Sequence, residues 1–304
     1  MQTMTKHTNT LSAKDTTRRM KRILIVCCLM LACYSAVGLC AEIIYPTIIK
    51  QGGLDVVKIT GKTPINSATG SFNGRTVYLN PTSLDTEYLG FVSAHLQTDP
   101  ADARLRVEIE YTDGTSEVLS RTISIIDGDY ETQYLTLDSK WTSYDEETLA
   151  RIQRENNIIG ALFKTETPKK LWTEQFMMPL TGRITGEFGL RRYINNEARS
   201  PHSGIDISAV TGTPILAPND GRAVLVMDMF FSGLSLFIDH GQGLYTMYFH
   251  LSEVLVEEGD DIHRGDTIAL VGASGRVTGA HLHFGVRHTN NKVNPWDLVN
   301  ALSP

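Results

Sequence analysis

The sequence predicts a mainly β protein: a β-sandwich of immunoglobulin-like type, a single helix as spacer, and a second β-rich domain that carries the chemistry. Three observations predict it. Short runs rich in Val, Ile, Thr and Tyr, broken by Gly, Asn, Asp and Pro, fill residues 42–140. The apolar period changes from strand-like to helix-like over residues 143–163 and back again from residue 176. Seven of the nine histidines fall between His202 and His288.

The first 41 residues stand apart. Arg18, Arg19, Lys21 and Arg22 precede the apolar run ILIVCCLMLACYSAVGLCA (residues 23–41), and Glu42 follows it. A positive flank, a short apolar core and small residues at its end describe a secretory signal peptide, with cleavage after Ala41 and Met20 as an alternative start. Left uncleaved, the same run is long enough to anchor the chain in the inner membrane. All four cysteines (Cys27, Cys28, Cys33, Cys40) lie in this segment, so the remaining chain has no disulfide and no thiolate chemistry. Six of the 28 Lys and Arg and one of the 34 Asp and Glu lie there too. That leaves 22 basic against 33 acidic residues, a net charge of −11. Such a balance excludes nucleic acid as a partner, because phosphate neutralisation dominates that affinity.

In residues 42–140 the stretches VVKITG, TVYLN, RLRVEIEY and EVLSRTISII read as strands. RLRVEIEY alternates Leu105, Val107, Ile109 and Tyr111 with Arg104, Arg106, Glu108 and Glu110, giving one dry and one wet face. The strand spacing suggests the immunoglobulin-like sandwich. No catalytic constellation occurs here, so the domain is expected to be accessory and separable from the chemistry. Residues 141–174 follow as helix and linker: Ser143 and Glu146 form a capping-box pattern, Leu149, Ile152, Ile159 and Leu162 recur at helical spacing, and Pro168 marks the linker.

Residues 175–300 hold the histidines. PHSGIDIS sets His202 and Asp206 an even offset apart, so on extended chain both share a face. HLHFGV does the same for His281 and His283, with Leu282 and Phe284 turned to the core, and YFHLS adds His250. Two imidazoles and a carboxylate suit zinc and leave one position open, as a catalytic site requires. His202, Asp206, His281 and His283 are four candidates for three ligand positions.

The segments PHSGID, YFHLS and GASGRVTGAHLHFGV closely resemble the lysostaphin/LytM-type metallopeptidases, or glycyl-glycine endopeptidases. The resemblance extends over residues 176–298 and includes GEFGLRR, GTPILAPNDG and VNPWDLV. It implies one zinc per chain on His202, Asp206 and His283. His281 and His250 become the catalytic pair that assists attack by zinc-bound water; the sequence leaves open which is the base, and we read His281 as base and His250 as oxyanion partner. Tyr193 is a candidate substrate-orienting hydroxyl. His240 and His263 lack ligand spacing and read as turn residues, His240 the nearer to the groove; His288 is expected at the surface.

The resemblance further implies an exported, periplasmic hydrolase of peptidoglycan stem-peptide crosslinks, D-alanyl–diaminopimelate bonds among them. The first domain then either covers the groove or docks onto a cell-envelope regulator or adaptor. A non-catalytic relative that activates cell-wall amidases is the rival reading, and the five intact positions argue against it. A biotinyl- or lipoyl-type carrier, suggested by IHRGDTIALVGASG, fails because the hairpin tip has no lysine.

Overall fold

The computed structural model describes residues 40–136, 144–173 and 175–302. The proposed signal segment lies outside the described residues except for Cys40 and Ala41. Among the described residues no helix is long and apolar enough to cross a membrane.

Alternation of apolar and polar side chains organises the first domain. Its strands are β1 (Glu42–Ile44), β2 (Ile48–Lys50), β3 (Leu54–Thr60), β4 (Ile65–Phe72), β5 (Arg75–Tyr78), β6 (Asn80–Pro81), β7 (Glu87–Ser93), β8 (Ala101–Tyr111) and β9 (Ser116–Ile126). One sheet has the order β1-β3-β7-β6 and the other β2-β9-β8-β4-β5, with β2 running parallel to β9. This is the strand order of an immunoglobulin sandwich whose first strand divides between the sheets. Leu105, Val107, Ile109 and Tyr111 are buried on β8, as the alternation predicts, and Val57, Ile59, Phe72 and Ile123 line the interior with them. The sequence reading missed the short β1, β2 and β6, and also β4 and β7, whose polar and glycine residues blur the pattern.

Helix α1 (Glu146–Leu162) is capped by Asp145, whose side chain accepts a hydrogen bond from Thr148 N at 2.8 Å. The anticipated cap, Ser143, lies outside the described residues. The helix is not a free spacer. Ile159, Leu162 and Phe163 pack on Phe237, Tyr245 and Met247, and buried Glu155 accepts from Phe230 N at 3.0 Å. The stretch read as a linker is likewise tied down: Leu171 N donates to His240 O at 2.9 Å, and Trp172 is buried.

The second domain is built on a sheet ordered β11-β14-β21-β18-β17-β16-β19. Its strands, with the smaller ones beside them, are β11 (Arg183–Gly186), β12 (Arg191–Ile194), β13 (Glu197–Arg199), β14 (Gly204–Ser208), β15 (Pro214–Leu216), β16 (Gly221–Met229), β17 (Gly233–Asp239), β18 (Leu244–Val254), β19 (Asp261–Ile262), β20 (Thr267–Val271), β21 (His281–His288) and β22 (Asn291–Val293). A short helix, α2 (Pro295–Asn300), closes the chain. The first domain also sends out β10 (Thr132–Leu135), which pairs in parallel with β12 and makes a small sheet β10-β12-β13.

The two domains share a core. Leu54, Phe91 and Leu96 of the first belong to the same apolar cluster as Trp172, Ile205, Leu236 and Phe284. Buried polar contacts cross the same junction. Ser93 Oγ lies 2.8 Å from His288 Nδ1, Asn291 Nδ2 donates to Ser93 O at 3.1 Å, and Asn294 N donates to Gly52 O at 2.7 Å. The first domain therefore packs directly on the second, and His288, expected at the surface, is buried at that junction.

Candidate metal centre

Three neighbouring strands position the site. On β21, Leu282, Phe284 and Val286 are fully buried in the core, which turns His281 and His283 to the other face. On β14, Ile205 and Ile207 do the same and turn Asp206 out. Asp206 and His283 are register partners, and His283 pairs in turn with Phe249 of β18. Their side chains therefore stand side by side. His202, just before β14, is fixed by its backbone: His202 N donates to Leu190 O at 3.0 Å, and Gly189 N donates to His202 O at 2.8 Å.

The ring of His202 places its Nδ1 2.7 Å from the carbonyl of Glu187, so Nδ1 carries the proton and Nε2 presents a lone pair. That Nε2 lies 3.0 Å from Asp206 Oδ1 and 3.0 Å from His283 Nδ1, and His283 Nδ1 is 2.8 Å from the same carboxylate oxygen. With both rings neutral, one proton at most serves these three contacts, and a cation among the three atoms satisfies them all. A tetrahedral ion with ligands at roughly 2.0–2.1 Å keeps neighbouring ligand atoms roughly 3.3 Å apart, within a few tenths of an ångström of these separations. The donor set therefore fits zinc, and these three residues can hold a metal ion.

Electrostatics agree with that fit. Burial alone raises the Asp206 carboxyl, but the hydrogen bonds and charge of His202 and His283 outweigh it and hold the group well below the usual carboxylate range. Burial pushes His283 down, toward the neutral form that a ligand must have. The ring of His283 also lies flat against Phe249, with centroids 5.2 Å apart. Gly186 is required beside the carboxylate: a Cβ there would stand 2.3 Å from Asp206 Oδ2.

His250 and His281 flank the cluster, their rings 4.8 Å apart. His281 Nδ1 donates to Gly279 O at 2.9 Å, and its Nε2 lies 3.8 Å from Asp206 Oδ1. His250 Nδ1 donates to Ser274 O at 3.0 Å. Each ring thus keeps Nε2 for other work. Simple alternation would put His250 on the core face with Tyr248. Instead the register with β17 slips between Leu234 and Leu236, and His250 adopts a left-handed φ of 63°. That bulge lets Phe249 and His250 both face the histidine cluster while Tyr248 and Leu251 stay in the core. Burial pushes His250 down to about 4.

The remaining candidates take no part in the contacts just described. Tyr193, on β12, stacks on Tyr134 with centroids 5.1 Å apart, and among the described residues its hydroxyl bonds to none. His240 does not line a groove; it is fully buried, with Nδ1 2.6 Å from Asp220 O and Nε2 2.8 Å from Thr246 Oγ1. His263 is exposed in a turn, as expected. The sequence reading missed the carbonyls of Glu187, Ser274 and Gly279 and the stacking by Phe249. The motif GEFG held a trace of the first.

Residues 200–295 match peptidase family M23. The chain carries an M23 peptidase domain. Outside the match, a solved structure of a putative M23 peptidase from Pseudomonas aeruginosa is similar across 83% of this chain and 95% of its own, at 27% identity and a TM-score of 0.63. Among curated relatives, the peptidoglycan DD-endopeptidase ShyB of Vibrio cholerae is 36% identical over 126 residues, 41% of this chain and 25% of its own length. The DD-carboxypeptidase/endopeptidase Mpg of Neisseria meningitidis is 37% identical over 117 residues, 38% of this chain and 27% of its own. The chain spans about a quarter of the length of the curated relatives it matches. The P. aeruginosa similarity reaches well beyond the M23 match, so the arrangement of both domains, and not the M23 domain alone, recurs.

Proposed function

We infer that this protein is an exported, periplasmic zinc endopeptidase that hydrolyses peptide crosslinks of bacterial peptidoglycan. The observation that carries the reading is the convergence of His202 Nε2, Asp206 Oδ1 and His283 Nδ1 on one point, with His250 and His281 beside it. One zinc per chain, held by these three, supplies a Lewis acid that polarises the scissile carbonyl and makes water acidic enough to lose a proton near neutral pH.

The chain's own residues supply the rest. His281, the nearer of the pair to Asp206, takes the proton of the attacking water through Nε2. His250, with Nδ1 committed to Ser274, also offers Nε2 as an acceptor while neutral. It donates to the developing oxyanion only once it is protonated. Both rings are fixed through Nδ1, so neither must reorient as charge develops. Similarity to DD-endopeptidases of Gram-negative bacteria favours the direct D-alanyl–diaminopimelate bond as substrate. The non-catalytic, amidase-activating alternative does not need this convergence. The first domain, with its polar outer strand faces, is a docking surface for an envelope regulator or adaptor.

Digestion of purified sacculi tests the reading. The zinc-loaded protein should convert crosslinked muropeptide dimers into monomers, identified by mass spectrometry. Dimers left intact, or cuts confined to the glycan strands, would overturn it.

A further inference from the structure

One loop holds both of the histidines that flank the metal ligands. It leaves the sheet at Gly272, whose carbonyl accepts from His281 N at 3.2 Å, and returns at His281 itself. Within it, the Gly279 carbonyl takes the Nδ1 proton of His281 at 2.9 Å and the Ser274 carbonyl takes that of His250 at 3.0 Å. A carbonyl can aim an imidazole only as well as it is itself held. For His250 the hold comes from the side chain of the same serine. Ser274 Oγ accepts from Leu234 N at 2.9 Å and donates to Leu251 O at 2.8 Å.

Leu234 and Leu251 are register partners across β17 and β18, at the slip that brings His250 round to the cluster. The hydroxyl therefore bridges the two strands of the bulge. The loop comes this close because a Cβ on Gly233 would strike Ser274 and one on Gly275 would strike Gly233 N. His250 N secures the other end of the bulge by donating to Ser232 O at 2.8 Å. Without the hydroxyl, Leu234 N and Leu251 O each lose a partner, and the nearest replacement for each is the other, reached by closing the bulge. We propose that Ser274 is a positioning residue whose hydroxyl holds this bulge open and fixes the ring of His250. Its effect on turnover rests on the zinc-endopeptidase reading above; its effect on the ring does not.

Ring and rate are read separately on the full, zinc-loaded chain. In the proton NMR spectrum the His250 Nδ1–H, identified by its absence from His250→Ala, should give a downfield resonance protected from exchange with water. Ser274→Ala should lose that resonance. On a crosslinked muropeptide dimer the same variant should keep its zinc and its KM and lose about 10- to 100-fold in kcat, the scale of a misplacement of roughly 1 Å. Ser274→Ala combined with His250→Ala should be no slower than His250→Ala alone, because the hydroxyl acts through that ring. Should Ser274→Ala fail to fold, Ser274→Cys, which keeps a side chain of similar shape but bonds weakly, should show the same losses. A serine that only stabilises the fold would lower the unfolding midpoint and leave the resonance and kcat unchanged, and that result would overturn the proposal. A double variant slower by the full product of the two single losses would overturn it as well. If the native protein cuts no dimer while the resonance still depends on Ser274, the peptidase reading falls and the positioning stands. Cleavage with a resonance indifferent to Ser274 is the reverse case.

Discussion

Phe91→Ala tests whether the two β domains unfold as one. Phe91 is 4% exposed on β7, with its ring 5.3 Å from that of Trp172 and 6.0 Å from that of His288. It belongs to the apolar cluster that also holds Ile205 and Phe284 beneath the metal ligands. Removing a buried phenyl ring costs about 3–5 kcal/mol, and the aromatic neighbours on both sides place this site toward the upper end. At this chain length each kcal/mol lowers the midpoint by roughly 2–4 °C, so a drop of roughly 6–20 °C is expected. Guanidinium unfolding followed by tryptophan fluorescence and by far-ultraviolet circular dichroism should give coincident transitions, both displaced in the variant. The reasoning is refuted if two transitions separate and only the earlier one moves. In that case the sandwich would be an independent unit after all, and a fragment starting near Thr173 would fold alone.

Further outcomes follow from the site and the junction. Asp206→Ala removes the one anionic ligand, and metal analysis should find the variant without tightly held zinc; full occupancy would displace Asp206 from the metal. His250→Ala should retain zinc and lose about two to three orders of magnitude in turnover, the usual worth of a group that acts in the transition state. A metal-free variant, or one with unchanged rate, would each contradict that role. Burial pushes His288 down to about 4 from an ordinary value near 6.5. Between those values the unfolded chain binds a proton that the folded chain refuses, so stability is lost as pH falls through that window, by up to about 3 kcal/mol from this residue. His288→Gln should lose part of that slope in denaturation curves taken from pH 7 to 4, and an unaltered slope would show that the buried ring is not its source.

Much of the site was legible because it lies on regular strands. Period-two spacing put His281 and His283 on one face and Leu282 and Phe284 on the other, and the burial follows it. It also put His202 and Asp206 together, although His202 sits just outside β14. What spacing could not show is where alternation breaks. His250 reaches the site through a bulge and a left-handed backbone, and neither leaves a mark in the pattern Tyr-Phe-His-Leu. Carbonyl partners such as Glu187 and Gly279 are invisible for another reason, since every residue has a carbonyl and only the fold aims it. An immunoglobulin-like sandwich was suggested by the spacing of β3, β5, β8 and β9, whereas the strand order emerges only in the fold. Nor was the shared core legible, because Leu54, Phe91 and Leu96 look like ordinary interior residues of their own domain. His288 shows the same blindness, its partner Ser93 lying 195 residues away in the chain.

The left-handed φ of His250 sets fitness against robustness at one codon. A residue with a β-carbon held there is strained by about 1–3 kcal/mol, whereas glycine bears the same geometry freely and asparagine more easily than most. A selection scored on heat resistance alone would therefore enrich His250→Gly and His250→Asn, and each step would discard the imidazole proposed for turnover. Drift toward a sturdier, silent protein is downhill at this position, so the histidine persists only where its chemistry is being used.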